Sequence, residues 1–253
     1  RSNPQFLDGR IEKSGGYGVQ LYYGAPLVQD TVIDDNVSHG VYEYDGAAIF
    51  RGDTISHNVN GIYVQYGAPR IAKLLTLALK NELEATECAA AWLPSTEEVK
   101  VKLALARQAG DEAKHYRMIE ARLAELGVDT SALNPLASGR SPLLTWLVGL
   151  EGTVARVAAG QFTREALALV RNQEFIRFCY SEGDRTTARL YEETIQPDEE
   201  HHHHLGRKLL LELATTDEAQ ASARAASAKV LAMAEELQEI ARLKLGITRA
   251  PGC

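Results

Sequence analysis

The stretch QPDEEHHHHLGRKL, residues 196–209, places four consecutive histidines behind two glutamates and ahead of an apolar helical pattern. On a helix, adjacent side chains point about 100° apart, so only one of the four shares a face with residues three or four positions away. The apolar stripe through this region is Ala188, Tyr191, Ile195, Glu199, His202, Gly206, Leu209 and Leu213. We therefore predict that Glu199 and His202 face the core together.

A second register of the same helix would pair Glu200 with His203 instead. It would also bury three residues that prefer water, namely Glu192, Gln196 and Arg207. Pro197 is expected to kink the helix just before the motif, because proline lacks an N–H donor and crowds the preceding turn. Such a kink can shift the register by one residue, so this alternative stays open. No ligand role is given to the flanking His201, His203 and His204.

The same pattern occurs on an earlier helix, whose stripe is Val101, Leu105, Gln108, Glu112, His115, Ile119 and Leu126. Glu112 and His115 therefore face the core as well. Both copies read D-E-x-x-H, because Asp111 precedes one glutamate and Asp198 the other. A buried carboxylate beside a buried imidazole is costly unless something compensates it, and a shared cation is the economical explanation. A four-helix di-metal site takes E-x-x-H from two helices and one glutamate from each of the other two.

The two remaining carboxylates come from the other helices of such a site. A helix over about residues 70–93 carries Glu82 on its stripe, 30 residues before Glu112. The third helix offers both Glu151 and Glu165. Glu165 lies 34 residues before Glu199, whereas Glu151 lies roughly 20 Å further along the axis at about 1.5 Å per residue. Glu165 is favoured if the helix is continuous, and a break at GQFT, residues 160–163, favours Glu151.

Residues 1–69 differ in character from the rest of the chain. They hold 10 of the 20 glycines and 7 of the 10 tyrosines, and we place a domain boundary near Pro69, between domains 1–69 and 70–253. Three similar stretches begin at residues 18, 40 and 61: GVQLYYGAP, GVYEYDGAA and GIYVQYGAP. Between them, Ile33 aligns with Ile55 and Asn36 with Asn58. The spacing of 22 and then 21 residues predicts at least two stacked β coils in register. An irregular β-rich extension is the alternative.

The period and the N-x-x-x-G-I/V pattern resemble right-handed parallel β-helix repeats, which occur in polysaccharide lyases and carbohydrate-binding proteins. These motifs are structural, so the resemblance implies no lyase activity. The helical part, roughly residues 70–213, resembles the ferritin-like superfamily of di-iron carboxylate proteins, and a fifth helix is expected at about 217–244. The expected fold class is α+β multidomain, with a small parallel β-helix-like segment before a ferritin-like four-helix bundle and an extra C-terminal helix.

The resemblance to di-iron proteins implies a role for each of the six candidate ligands. Glu82 and Glu165 look like terminal or bridging carboxylates, Glu112 and Glu199 like bridging ones, and His115 and His202 like one imidazole per metal. Mixed carboxylate and imidazole ligation favours two iron ions, with manganese as the alternative. The chain departs from rubrerythrins because it lacks a module of four clustered cysteines.

We expect an oxidoreductase that activates O2 or peroxide, an oxidase or hydroxylase whose substrate and electron donor the sequence does not identify. One alternative is iron handling, in which the protein acts as a ferroxidase or scavenges peroxide. Another is a non-enzymatic β-helix binding module fused to a metal-free bundle. Oxygen consumption with Fe2+ alone separates the first two possibilities.

Composition restricts the partners and the compartment. The net charge of −7, without a long basic block, disfavours nucleic acid as a partner. No apolar stretch is long enough for a membrane span. The three cysteines are far apart and lack C-x-x-C spacing, which favours a reducing compartment, and we expect a cytoplasmic homo-oligomer. Two of them are expected to be small core residues, Cys88 and Cys179.

Overall fold

The computed structural model describes residues 5–24, 26–46, 48–65, 70–245 and 250–252. The chain divides into two compact units, Arg1–Lys73 with Leu126–Val128, and Leu74–Glu125 with Asp129–Cys253. The first unit contains short parallel strands, and the second is helical. The chain is therefore an α+β protein. The boundary expected at Pro69 and parts of the predicted repeat turns lie outside the described residues.

The strands of the first unit pair in three parallel sheets, in the orders β1-β4-β7, β2-β5-β8 and β3-β6-β9. Val19 pairs with Val41, and Val41 pairs with Ile62, so the register follows the 22- and 21-residue spacing. This confirms the predicted stacked coils. The strand bounds are β1 Gln5–Leu7, β2 Arg10–Glu12, β3 Val19–Gly24, β4 Leu27–Gln29, β5 Val32–Asp34, β6 Val41–Gly46, β7 Ile49–Arg51, β8 Thr54–Ser56 and β9 Ile62–Gln65.

The interior of the coils combines an apolar stack with an asparagine ladder. Ile33 is fully buried and pairs in register with Ile55. The backbone N–H and the side-chain Nδ2 of Asn36 both donate to Asn58 Oδ1, at 3.0 and 2.9 Å. Asn36 Oδ1 in turn accepts from the backbone N–H of Ser14 at 3.0 Å. The ladder satisfies polar groups at the corners where the strands cannot, so stacking one coil on the next fixes the register.

The second unit contains eight α-helices among the described residues. They are α1 Arg70–Trp92, α2 Val99–Glu125, α3 Pro142–Val148, α4 Thr153–Val157, α5 Glu165–Ser181, α6 Arg185–Leu190, α7 Gln196–Leu213 and α8 Asp217–Leu245. Two wide π turns, Ala158–Arg164 and Tyr191–Ile195, join α4 to α5 and α6 to α7 without interrupting the helical path. Within the described residues, none of the helices is long and apolar enough to cross a membrane.

The helix that carries Glu165 is continuous across the GQFT stretch, where a break was considered. The stretch lies in the first π turn, and the chain breaks upstream, where Gly152 has a φ of 81°. A positive φ is accessible to glycine without steric cost, so Gly152 lets the chain turn between α3 and α4. Pro197, where a kink was expected, is the second residue of α7, and the second π turn ends two residues before it.

Close backbone approaches bring the helices together around the site. A Cβ added at Gly206 of α7 would lie 2.6 Å from the backbone carbonyl of Gln161 in the first π turn. A Cβ added at Gly160 would lie 2.7 Å from the ring of Trp92. Trp92 itself donates from Nε1 to the carbonyl of Leu147 at 3.1 Å, which anchors α1 to α3. These contacts hold the first π turn against both α1 and α7.

Candidate metal centre

The six residues predicted as ligands lie on four helical stretches and meet in the interior of the second unit. Each is at most 4% exposed. α1 supplies one of them, α2 and α7 supply two each, and the first residue of α5 supplies the last. They are Glu82, Glu112, His115, Glu165, Glu199 and His202.

Their ligand atoms form two groups, and within each group all of these atoms lie within 4.8 Å of one another. The groups share two residues, Glu112 and Glu199. The first group adds Glu82 and His115, and the second adds Glu165 and His202. Each group could hold a metal ion with one imidazole, and the two shared carboxylates belong to both groups.

Both imidazoles turn Nδ1 towards these carboxylates. His115 Nδ1 lies 3.4 Å from Glu82 Oε2 and 3.4 Å from Glu112 Oε2. His202 Nδ1 lies 3.5 Å from Glu199 Oε2 and 3.9 Å from Glu112 Oε1. In both motifs the glutamate lies one helical turn before the histidine, so the i, i+3 spacing predicted from the sequence brings each pair together.

Four polar atoms in this cluster are buried without a hydrogen-bond partner among the described residues. They are Glu112 Oε1, His115 Nδ1, Glu199 Oε2 and His202 Nδ1. A buried polar atom without a partner costs free energy, and several at one point call for a bound group. The orphan atoms are two carboxylate oxygens and two imidazole nitrogens, so a metal ion is the group that this donor set fits.

Each imidazole contacts the aspartate of the other motif through Nε2, the ring nitrogen that does not face the carboxylates. His115 Nε2 lies 3.1 Å from Asp198 Oδ2, and His202 Nε2 lies 3.1 Å from Asp111 Oδ2. An ionised carboxylate can only accept, so each Nε2 carries the proton and donates it to the aspartate. This arrangement directs Nδ1 into the centre and fixes each ring. The sequence showed that an aspartate precedes the glutamate in both motifs. It did not show that each aspartate contacts the histidine of the other motif.

The two aspartates are themselves paired with cations on α2. The Lys114 ammonium donates to Asp198 Oδ2, and Arg107 Nε donates to Asp111 Oδ2 at 3.3 Å. The pKa of Asp198 is lowered, because hydrogen bonds from Lys114 and His115 outweigh its partial burial. Asp198, which contacts the His115 imidazole, is thus kept in the acceptor form.

Glu165 has a further neighbour that the sequence reasoning did not assign to the site. Gln108 Nε2 donates to Glu165 Oε1 at 2.6 Å, in a fully buried contact between α2 and α5. Gln108 lies one turn before Glu112 on the same stripe, so its position signalled that it faces the core. Glu151, the competing candidate for this carboxylate, is exposed and is not part of either group.

Burial and crowding raise the pKa of several carboxyl groups in the metal-free centre. The pKa of Glu82 is raised to about 7 by burial and by the charge of Glu112, against the opposing effect of the nearby His115 ring. Burial and Glu112 raise the pKa of Glu199 to about 8. Burial and the charge of Glu199 raise the pKa of Glu165 well above its ordinary value. A cation at this point would offset these costs.

The pKa values of Glu112 and His115 are shifted in the directions that favour their charged forms. Burial disfavours the ionised Glu112, but the nearby His115 ring and the charge of Arg164 lower its pKa to about 2. Burial likewise disfavours a charged His115, but the Glu112 and Glu82 carboxylates, each 3.4 Å from its Nδ1, raise its pKa to about 12. Without a metal, the His115 imidazolium therefore supplies the positive charge at the centre.

The four adjacent histidines have distinct environments. His202 is buried in the centre, whereas His201 and His204 are exposed. His203 is half-buried, its Nδ1 lies 2.8 Å from the Phe162 carbonyl, and its ring stacks on the Phe162 ring. Glu200, the partner of His203 in the alternative register, is exposed. The structure therefore brings together the pair of the preferred register, Glu199 and His202.

Tyr191, on the second π turn, is the remaining polar group beside the cluster. It is fully buried, its hydroxyl has no hydrogen-bond partner among the described residues, and its ring packs edge-on against Phe175. Burial and the negative charges of Glu82 and Glu199 raise its pKa well above 10. The phenol is therefore a neutral group next to the carboxylates.

Comparison with known proteins adds no assignment: no family model matches the chain, and no curated protein matches it significantly.

Proposed function

We propose that the helical unit is a di-iron carboxylate protein of the ferritin-like kind, an oxidoreductase that activates O2 or peroxide as an oxidase or hydroxylase. The observation that carries this proposal is the pair of ligand groups that share Glu112 and Glu199. Four orphan polar atoms at that point support it further. A pair of iron ions held there would supply paired one-electron changes for the reduction of O2 or peroxide.

Different residues of the chain would hold each of the two iron ions. Glu82 and His115 would ligate one ion, and Glu165 and His202 the other. The two shared glutamates, Glu112 and Glu199, would help to hold both ions. The carboxylate and imidazole donors suit iron or manganese better than a metal that prefers thiolates. The buried thiol of Cys88 is held neutral, because burial raises its pKa to about 12.

The protein around the ligands would set their orientation and their charge. Asp111 and Asp198 hold the imidazoles in the tautomer that leaves Nδ1 for the metal. Gln108 holds one oxygen of Glu165. At most 4% of any ligand is exposed, so the centre is shielded from bulk water, which strengthens its electrostatic interactions.

The test is anaerobic reconstitution of the full chain with Fe2+, followed by metal analysis, an optical spectrum and oxygen consumption. We expect two irons per chain and oxygen uptake. Glu112→Gln is expected to lower the iron content because it weakens a shared ligand. The matched control is Glu151→Gln, since Glu151 is exposed and lies outside both groups.

Three results would redirect the proposal. Two bound irons with repeated turnover of Fe2+ alone would indicate a ferroxidase. Rapid reaction with peroxide but not with O2 would indicate peroxide scavenging. A wild-type chain that binds one iron or none would contradict the two-metal site and favour a metal-free bundle.

A further inference from the structure

The first π turn ends directly before Glu165, so its geometry sets which residue of α5 faces the metal centre. A π turn takes up one residue more than an α turn. If it relaxed to α geometry, the buried face of α5 would shift by one residue, and adjacent side chains on a helix point about 100° apart. The place of Glu165 in the second ligand group therefore depends on the contacts that stabilise this turn.

One of these contacts comes from α7, through the side chain of His203. The His203 Nδ1 lies 2.8 Å from the backbone carbonyl oxygen of Phe162. A carbonyl oxygen only accepts hydrogen bonds, so Nδ1 carries the proton and donates it. The same carbonyl oxygen accepts from the backbone N–H of Glu165. A single peptide group therefore links His203 to the candidate ligand.

Two further contacts bring α7 and the π turn together at this point. The His203 ring stacks on the Phe162 ring, with the ring centroids 4.9 Å apart and the ring planes at 18°. Gly206 lies one turn further along α7, and its lack of a side chain lets the backbone of Gln161 approach. His203 can reach the carbonyl oxygen because the two backbones are this close.

Neighbouring histidines of α7 thus contact two parts of the same ligand group. His202 faces the centre, and His203 faces the π turn, because their side chains point about 100° apart around the helix. His202 and Glu165 are the two residues that the second ligand group does not share with the first. One ligand is carried by α7, and the other is held by α7 through the Phe162 peptide.

We propose that His203 is a positioning residue for Glu165, because its hydrogen bond to the Phe162 carbonyl stabilises the π geometry that keeps Glu165 in the second ligand group. The inference rests on the proposed function and deepens it, since it assigns a further residue to one of the two metal sites. His203 binds no metal in this role, because its Nδ1 donates to a carbonyl oxygen.

Two substitutions separate the hydrogen bond of His203 from its stacked ring. His203→Asn keeps an N–H donor on the atom bonded to Cγ, where Nδ1 stands, but loses the ring. His203→Phe keeps a ring that can stack on Phe162 but has no donor. If His203 served packing alone, His203→Phe would be the milder change, whereas the positioning role makes His203→Asn the milder one. The matched control is His204→Phe, the same change at an exposed neighbour.

The first experiment measures hydrogen exchange of the backbone amides of residues 158–165 in the metal-free full chain. His203→Phe should speed this exchange about fivefold or more, because the turn loses one hydrogen bond, while His203→Asn and His204→Phe stay close to wild type. Amides in the middle of α2 report any change in global stability. Exchange of the turn at the wild-type rate in His203→Phe, or faster exchange in His203→Asn than in His203→Phe, would overturn the inference.

The second experiment measures the affinity of each iron site by anaerobic Fe2+ titration against a competing chelator. His203→Phe should weaken one of the two sites about tenfold and leave the stoichiometry unchanged, whereas His203→Asn should retain both affinities. Normal affinity at both sites in a variant whose π turn exchanges faster would overturn this inference and leave the proposed function intact. A wild-type chain that binds no iron would overturn the proposed function, and the role of His203 at a metal site with it.

Discussion

His202 of α7 donates from Nε2 to Asp111 of α2 across 3.1 Å, and His115 makes the reciprocal bond to Asp198. Each E-x-x-H motif is therefore oriented by a residue of the other. Partners of this kind fix the ring and raise the basicity of the metal-binding nitrogen. The two motifs act as one unit, and this relationship leads to the first prediction.

Asp111→Asn and Asp198→Asn should each weaken iron binding about 10- to 100-fold while leaving two sites per chain. Asparagine keeps an acceptor oxygen but loses the charge that stabilises the imidazole. Competition with a chelator of known affinity measures the change. The control is Glu200→Gln, an exposed carboxylate beside the second motif. Equal affinities in all three variants would contradict the orienting role.

Within the histidine run, His202→Ala should remove one metal or most of the oxidase activity. His201→Ala and His204→Ala should keep the metal stoichiometry, because both side chains are exposed. His203→Ala should also keep it, but should lower the free energy of unfolding by about 1 kcal/mol, since it loses the hydrogen bond to Phe162. Metal analysis measures the stoichiometry of each variant, and thermal unfolding measures its loss of stability. Loss of metal in His203→Ala but not in His202→Ala would support the other register.

Glu165→Gln should reduce the iron content or the affinity of one site, because an amide replaces a charged ligand. Glu151→Gln should change neither, although the sequence alone allowed Glu151 as the ligand. Both glutamates belong to the third helical region of the prediction, so the pair is well matched. Iron titration followed by optical spectroscopy is the measurement. A loss confined to Glu151→Gln would refute the assignment.

Gly206→Ala should destabilise the helical unit by about 1–3 kcal/mol, because the added Cβ meets the Gln161 backbone at 2.6 Å. Gly110→Ala, in α2, is the opposite case. Gly110 is exposed, and a Cβ there meets nothing within 4 Å, so alanine should stabilise by about 0.5–1 kcal/mol through its helix propensity. Denaturant unfolding of the two variants should therefore give changes of opposite sign.

The stability of the metal-free protein should fall as the pH rises from about 5 to about 8. Glu82 and Glu199 have folded pKa values of about 7 and about 8, above their ordinary 4.5. A raised pKa stabilises the fold below the unfolded value, and that contribution is lost as the pH rises through the folded value. The loss should exceed about 1 kcal/mol, the order of the free energy of one pKa unit.

Bound iron should weaken this pH dependence, because the metal takes the place of the protons on Glu82 and Glu199. His115, whose pKa is about 12 without metal, must also lose a proton to ligate. Calorimetric titration with Fe2+ at pH 6.5, in buffers of different ionisation enthalpy, should show release of about two or more protons. Iron binding without proton release would contradict these charge assignments.

The placement of the candidate ligands could be predicted from the sequence, because the helical period determines which residues share the buried face of each helix. A glutamate such as Glu82 on an otherwise apolar stripe is conspicuous, since burying it alone is costly. The repeat in the first unit could also be predicted, because an asparagine occupies the same place in successive coils, as Asn36 and Asn58 do. In both units the signal is a polar residue at a regular interval, on a face that the fold buries.

The rest depends on contacts between distant helices, which periodicity does not encode. The first π turn forms where Gly160 packs on Trp92 and where Gly206 admits the backbone of Gln161. The break before α4 falls at Gly152, eight residues before the expected stretch. Neither the exchange of aspartates between the motifs nor the bond from Gln108 to Glu165 follows from spacing along one helix.

The change from a 22- to a 21-residue spacing has a consequence for how the coils can vary. Asn36 and Asn58 still match at 22 residues, whereas His39 contacts Asn60 at 21, so the missing residue falls in the corner just after Asn58. The strands on either side keep their pairing, Ile33 with Ile55 among them. The corner just after Asn58 is therefore one residue shorter than the corresponding corner of the preceding coil, and both the ladder and the strand pairing accommodate the difference.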